Sequence, residues 1–358
     1  MSSPITPITS KAPGKPKAPE KPKAPGKPGK PGKPLRLILM VPLLLLADRA
    51  AAQFDGQWTQ YMLNPGIYNP AVAGRNSFLD VHIAFRQQWT GVTNAPSTLG
   101  LQVGYPVRVG KQQAGIGLLM LNESIGLFKT QMFQAQFSYR FKVWGGELRA
   151  GAQGGILQQN FASGDIYIPT SDYHSTSDDA IPTGDLEGIV PDLSLGVWYD
   201  RGPWFAGVSC AHVLGGTLHL DDGEGGGSSS GSSEDEDGTQ MKVSRTLYFT
   251  GGYNISFRNP LFTLQPSLMV KSDLVTVQAD VSALLRVAKK YWGGLSWRPG
   301  DGLGVLAGMQ FDFGLTVCYS YDIPLYGPTD GSHEVMIGYR KAIDTSRINK
   351  KQKSVRIL

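Results

Sequence analysis

The chain has 358 residues and a formal net charge of +5. The excess is local: residues 1–52 hold ten of the 34 Lys/Arg and two of the 29 Asp/Glu, leaving 24 basic against 27 acidic residues beyond them. A basic balance confined to one terminus is no footprint for nucleic acid, so none is expected as a partner. The cysteines, Cys210 and Cys318, are too few for a disulfide scaffold in a chain of this length and are expected as free thiols.

The first element is a leader. Residues 11–34 repeat Pro, Gly and Lys and cannot bury a core. Leu37–Ala47 is apolar but too short for a membrane-spanning helix, which needs about 20 residues. Ala50, Ala51 and Ala52 come next. Basic flank, short apolar run and small residues predict a secretory signal peptide cleaved after Ala52. Domain 1–52 is therefore expected to be lost.

Residues 53–77 form the second element. Gln53–Gly74, QFDGQWTQYMLNPGIYNPAVAG, shows no alternation and carries two Asn-Pro pairs and several aromatics. A short helix around Gln57–Leu63, ended before Pro65, fits. The segment reads either as a plain periplasmic lead-in or as a plug at the periplasmic mouth of a membrane domain beginning at residue 78.

From residue 78 to 341 the pattern has period two. Leu79, Val81, Ile83 and Phe85 alternate with Asp80, His82, Ala84 and Arg86. Phe133, Phe137 and Phe141 alternate with Gln134, Gln136, Ser138, Arg140 and Lys142. The same holds for Val277 and Val281 against Gln278 and Asp280, and for Tyr319 and Ile323 against Ser320 and Asp322. Successive strand side chains face opposite sides, so each segment has one apolar and one polar face. A soluble sandwich and a membrane barrel both give this pattern. The segments approach the nine to eleven residues that cross a bilayer, they carry charges in mid-strand, and aromatics such as Trp89, Tyr105, Tyr199, Trp204, Tyr291 and Tyr339 fall near their ends. All three favour an all-β, transmembrane outer-membrane barrel with its polar face in a wet lumen.

About fourteen antiparallel strands are predicted, an even number as such barrels require. They span roughly 78–89, 97–107, 113–122, 129–142, 146–162, 189–200, 204–213, 241–256, 261–271, 274–286, 291–298, 302–312, 314–323 and 333–341. With the first strand starting in the periplasm, the periplasmic connections are short: Arg108–Gln112, Val143–Gly145, Arg201–Pro203, Arg258–Pro260, Val287–Lys290 and Phe313. The outer ones include the long Ser163–Ile189 and Leu214–Gln240, plus Pro324–Ser332. Short turns on one side and long loops on the other is the outer-membrane pattern. Residues 342–358 form a basic tail with Lys350, Lys351, Lys353 and Arg356, read as a frayed terminus or a docking element.

No catalytic, cofactor or metal residues are assigned. His82, His174, His212, His219 and His333 lack any metal-ligand spacing, and no nucleophile motif occurs. The Gly-rich GIGLLM and GLGVLAG lie within strands and read as packing positions. Acidic residues 221–237 suit a hard cation or a partner in kind, but not in spacing; a solvated outer loop is the plainer reading.

QFDGQWTQYMLNPGIYNPAVAG followed by FRQQWTGVTNAPST resembles the N-terminal signature of the PorP/SprF family of the type IX secretion system of Bacteroidetes. The matching residues are Gln60-Tyr61, Asn64-Pro65, Asn69-Pro70-Ala71, Ala73-Gly74, Arg86 to Trp89, Gly91 and Ala95-Pro96. Gly115-Ile116-Gly117, Asn122-Glu123, Pro266-Ser267, Tyr319 to Asp322 and Gly331 to Glu334 continue it in order. The acidic loop, the long leader and the basic tail depart from it. The resemblance implies a non-enzymatic outer-membrane component of protein secretion, with gliding adhesins among its cargo. Its implied partners are the periplasmic lipoprotein ring subunits, the translocon, a cargo C-terminal sorting domain and outer-membrane lipid. A general diffusion porin or solute channel is the alternative.

Overall fold

The computed structural model describes residues 55–110, 112–162, 185–222, 239–325 and 329–343. The leader and signal peptide, the interiors of the two long loops with the acidic run, and the tail beyond residue 343 lie outside the described residues.

The strands, in chain order, are β1 Phe78–Gln87, β2 Ser97–Val109, β3 Gln112–Ile125, β4 Phe128–Val143, β5 Gly146–Phe161, β6 Leu186–Arg201, β7 Trp204–Ala211, β8 Thr217–Asp222, β9 Thr239–Lys242, β10 Thr246–Tyr253, β11 Ile255–Ser256, β12 Phe262–Ser272, β13 Val277–Val287, β14 Tyr291–Arg298, β15 Gly302–Gln310, β16 Leu315–Pro324 and β17 Ser332–Ala342. Fourteen of them close an antiparallel barrel. The chain runs neighbour to neighbour from β1 to β7, continues with β10 and β12 to β17, and β17 pairs back onto β1 from Phe78↔Ala342 to Gln87↔His333. Closure matters because no edge is left with unpaired N–H and C=O groups in hydrocarbon.

The expected strands are all present, and the faces are as the alternation assigns them. Ile83, Phe137 and Val281 point outward, 41–47% exposed, while Arg86, Gln136 and Asp280 point inward and are at most 3% exposed. All connections at one end, here the turn end, are short. One two-residue connection, Trp144-Gly145 between β4 and β5, has φ of 49° and 72°, the two left-handed residues of a type I′ hairpin turn. The other, loop end carries the longest connections. There residues 214–240 are not all loop: Thr217–Asp222 and Thr239–Lys242 pair as a hairpin, and β8 adds to β6 at Leu186↔Asp222. Leu218, Val243, Leu157 and Val190 form a small apolar cluster that supports it. Cys210 and Cys318 are free.

The lumen departs from the wet channel expected. Trp58, Tyr61, Met62, Ile67 and Tyr68 of the N-terminal segment pack against inward-facing Ala84, Leu119, Tyr248, Met269, Leu284, Leu306 and Met336 of the wall. Each large aromatic buried this way contributes about 1.5–3 kcal/mol. Among the described residues, the segment ahead of β1 is the stretch that is neither strand nor connection, and it is the one the interior holds. The wall carries apolar residues inside where that segment lies.

Because the outer face meets lipid, Val281→Arg or Phe137→Arg should destabilise the barrel by about 2–4 kcal/mol in folding titrations into lipid vesicles. Gln310→Lys, which faces an open part of the lumen, should cost much less. Equal costs at all three positions would mean that the faces are misassigned.

Candidate functional site

The N-terminal segment runs the length of the lumen rather than across one mouth. Asp55 sits at the loop end. Its carboxylate meets His212 Nε2 at 2.8 Å and accepts from the Tyr248 hydroxyl, and its carbonyl accepts from Lys271 Nζ at 3.2 Å. His212 Nδ1 faces Asp192 at 3.1 Å on its other side. Burial opposes ionisation of Asp55, but His212, the Tyr248 hydroxyl and Lys271 outweigh it and hold the carboxyl below the usual carboxylate range.

One turn further in is a buried ionic knot. Arg86 of β1 bonds Asp322 of β16 at 2.7 Å and Glu334 of β17 at 3.1 Å. The backbone N–H groups of Thr59 and Gln60 donate to the Glu334 carboxylate at 2.7 and 3.0 Å. The Thr59 hydroxyl accepts from Arg86 at 2.9 Å and donates to Asp322 at 2.6 Å. Beside this, Arg298 pairs with Asp280 at 2.5 Å and Asp301 at 2.8 Å. Tyr61 reaches Ser267 Oγ and donates to the Asp280 carbonyl, both at 3.2 Å. The helix expected around Gln57–Leu63 is not formed. Only a single turn, Leu63 N–H to Gln60 O at 2.9 Å, precedes Pro65, too short a run to offset the cost of helix nucleation.

Asn69 then caps a 3-10 turn, Pro70–Val72, by accepting from Ala71 N–H at 3.0 Å. Its amide nitrogen donates to the carbonyls of Val197 and Val208, a register pair on β6 and β7, at 3.0 and 3.3 Å. The wall satisfies other carbonyls of the segment: Gln136 donates to Gly66 O at 2.9 Å, Ser209 to Tyr68 O at 2.7 Å and Ser138 to Ala73 O at 2.6 Å. At the turn end Arg149 donates to Arg75 O at 2.8 Å, and Arg75 pairs with Asp200 at 2.5 Å. Gly115 is required by closeness: a Cβ there would stand 1.9 Å from Ala73 O. Inward-facing Gln136, Ser138 and Ser209 are thus bonded to the segment.

Eleven of the residues that carry the resemblance meet here. Gln60, Tyr61, Asn69, Ala73 and Gly74 come from the segment, and Arg86, Gly115, Ser267, Ser320, Asp322 and Glu334 from the wall. The rest of the RQQWTG stretch lies just outside, where Trp89 N–H donates to Ser332 Oγ at 3.3 Å and Thr90 N–H to Gly331 O at 2.8 Å. No sequence signal marks Asp55 and His212, whose contact joins positions 157 residues apart. Among the described residues no group of three or more His, Cys, Asp and Glu is placed to hold a metal ion.

Removing one member of a buried ion pair costs about 3–5 kcal/mol, because the other charge stays buried. Glu334→Ala should therefore destabilise the folded protein by that order in denaturant titrations. Arg86→Leu combined with Glu334→Leu should cost less than the two single changes added. Strict additivity would show that the knot is not one coupled unit.

No curated protein matches the chain in sequence. Several solved outer-membrane proteins are similar in shape. The toluene transporter TbuX of Ralstonia pickettii is 13% identical with a TM-score of 0.44, covering 80% of this chain and 94% of that one. The toluene transporter TodX of P. putida is 12% identical at 0.41, covering 78% and 94%. The translocator domain of the autotransporter NalP from Neisseria meningitidis is 16% identical at 0.38, covering 79% and 93%. The sequence profile of the type IX secretion system membrane proteins PorP/SprF matches residues 50–339, almost all of the barrel and the segment inside it. The protein is an outer-membrane β-barrel of the PorP/SprF family, a membrane protein of the type IX secretion system.

Proposed function

We propose that the protein is a non-enzymatic part of the secretion machinery that binds and positions polypeptide at the outer membrane. In this reading the turn end faces the periplasm, where it meets lipoprotein ring subunits or the translocon, and the loop end faces outward. The bound polypeptide is a cargo C-terminal sorting domain or a periplasmic component. The output is secretion and surface attachment of cargo such as gliding adhesins.

The observation that supports this over a solute channel is the filled lumen. A diffusion porin needs a continuous water path, whereas here Asp55 to Arg75 runs between the two ends with its backbone bonded to the wall. A barrel closed in this way is suited to presenting its ends to other proteins.

Deleting the gene should leave at least one type IX cargo unsecreted or unattached while the outer membrane stays intact. Pull-down of the tagged protein should recover a sorting domain or a periplasmic lipoprotein of the system. Normal secretion and display, with loss of small-solute uptake instead, would move the protein to the porin class. In planar bilayers the intact protein should conduct poorly, and deletion of Phe54–Pro65 should raise its conductance. An intact protein that already conducts freely would defeat the plug.

A further inference from the structure

The segment does not fill the lumen evenly. At the turn end it leaves a cavity of about 190 Å³, bounded by Asn64, Arg75 and neighbours on one side and by the inner faces of β1, β2 and β12 to β17 on the other. The charged residues of its lining are Arg75, Asp80, His82, Arg286 and Arg340. Two of the guanidiniums are already matched. Arg75 pairs with Asp200 at 2.5 Å, and Arg340 pairs with Asp80 at 2.9 Å, where His82 also bonds at 3.0 Å. Arg286 is the surplus. Among the described residues no carboxylate lies within ion-pair distance of it, and its one hydrogen bond, Nε to Gln265 Oε1, is long at 3.4 Å. Its guanidinium is held 5.3 Å from the centroid of the Trp292 ring. Stacking of that kind orients the planar group and leaves its two Nη atoms to act as a fork.

The surroundings have the same sign. Inward-facing charges near the turn end are Arg75, Arg140, Arg149, Arg286 and Arg340 against Asp80, Glu147 and Asp200. Near the loop end carboxylates lead: Asp55, Glu123, Asp192, Asp280, Asp322 and Glu334 against Arg86, His212, Lys271 and Arg298. An anion approaching the turn end meets an attractive field and one guanidinium without a counter-ion among the described residues.

The geometry points to a carboxylate-binding site at Arg286, filled by an acidic side chain or chain terminus of a polypeptide that enters the turn end. Arg286 holds the carboxylate through paired Nη donors, the geometry that makes Arg–carboxylate contacts bidentate. Gln310 and Asn64 lie in the same lining and offer amide donors to the flanking backbone. A polypeptide is favoured over a free small anion because the cavity is much larger than one carboxylate and adjoins a basic rim. The site rests on the binding role proposed for the protein and deepens it by naming the chemistry of the bound group.

The test uses the purified full-length protein in detergent at low ionic strength, so it does not depend on the secretion phenotype. The probe is a dye-labelled six-residue peptide with three Glu and a free C-terminus, followed by fluorescence anisotropy. Its Gln-substituted, C-terminally amidated analogue is the control. The acidic peptide should bind at least tenfold more tightly than the analogue. Arg286→Gln should weaken it at least tenfold, and Arg286→Lys should restore only part of the loss, since an ammonium lacks the fork. Gln310→Glu keeps Arg286 but supplies a competing carboxylate, and should weaken binding by a similar factor. Lys290→Gln, on an exposed turn, should change it less than twofold. Equal binding of both peptides, or wild-type binding by R286Q and Gln310→Glu, would overturn the site. Complete displacement by millimolar inorganic phosphate would show a small-anion site and overturn the polypeptide assignment. Failure here alongside a secretion defect in the deletion strain would remove this site and leave the secretion role standing.

Discussion

An irregular chain inside a membrane barrel has no strand beside it, so the peptide groups that its own turns leave unpaired need partners in the wall. That constraint explains the chemistry of the inner face. Gln136, Ser138, Ser209 and Arg149 serve as side-chain substitutes for a hydrogen-bond ladder, each reaching a carbonyl of the segment. Glu334 does the same for two N–H groups. Where the segment brings aromatics instead, the wall answers with Leu119, Met269, Leu284 and Met336. One inner surface therefore changes from polar to apolar and back, following the contents of the lumen.

Buried charge obeys the same logic but serves specificity more than stability. A buried ion pair gains little over well-packed apolar residues, because both ions lose their water. Arg86 with Asp322 and Glu334, and Arg298 with Asp280, instead fix where Thr59 to Tyr61 sits. A slip of one residue would take the Thr59 hydroxyl and N–H away from the buried carboxylates of Asp322 and Glu334. The turn end obeys a different rule. There the segment withdraws toward β4 to β7, the opposite wall is left uncovered, and one guanidinium is left over.

The barrel was legible in the sequence because lipid outside and a distinct interior inside force a strict period of two, and Phe137 or Val281 cannot face the wrong way cheaply. Strand number came from the same pattern, and the contrast between Trp144-Gly145 and residues 163–189 marked the two ends. Polarity could not tell what the polar face was for: Gln134 and Gln136 read equally well as wetted or as bonded to protein. The β8–β9 hairpin was hidden because Thr217–Asp222 is short and runs into an acidic Gly/Ser stretch. Asp55 and His212 were invisible for another reason. A contact between a lone Asp before Gly56 and a lone His at a strand end has no local pattern, and only closure of the barrel brings the two together.

Closure of the barrel and seating of the segment use the same side chains. The seam is the β1–β17 pairing, and Arg86 stands directly opposite Glu334 in its register. The same two side chains hold Thr59 and Gln60, with Asp322 of the neighbouring β16 completing the knot. Until the last strands arrive, the N–H groups of Thr59 and Gln60 have no carboxylate to bond. Until the segment is in place, Glu334 has Arg86, and Asp322 has Arg86 and Arg298, to offset their burial. Contacts that join positions 248 to 275 residues apart carry a large loop-closure cost when formed singly. Formed together at the seam, they share that cost, so closing the barrel and seating the segment favour each other.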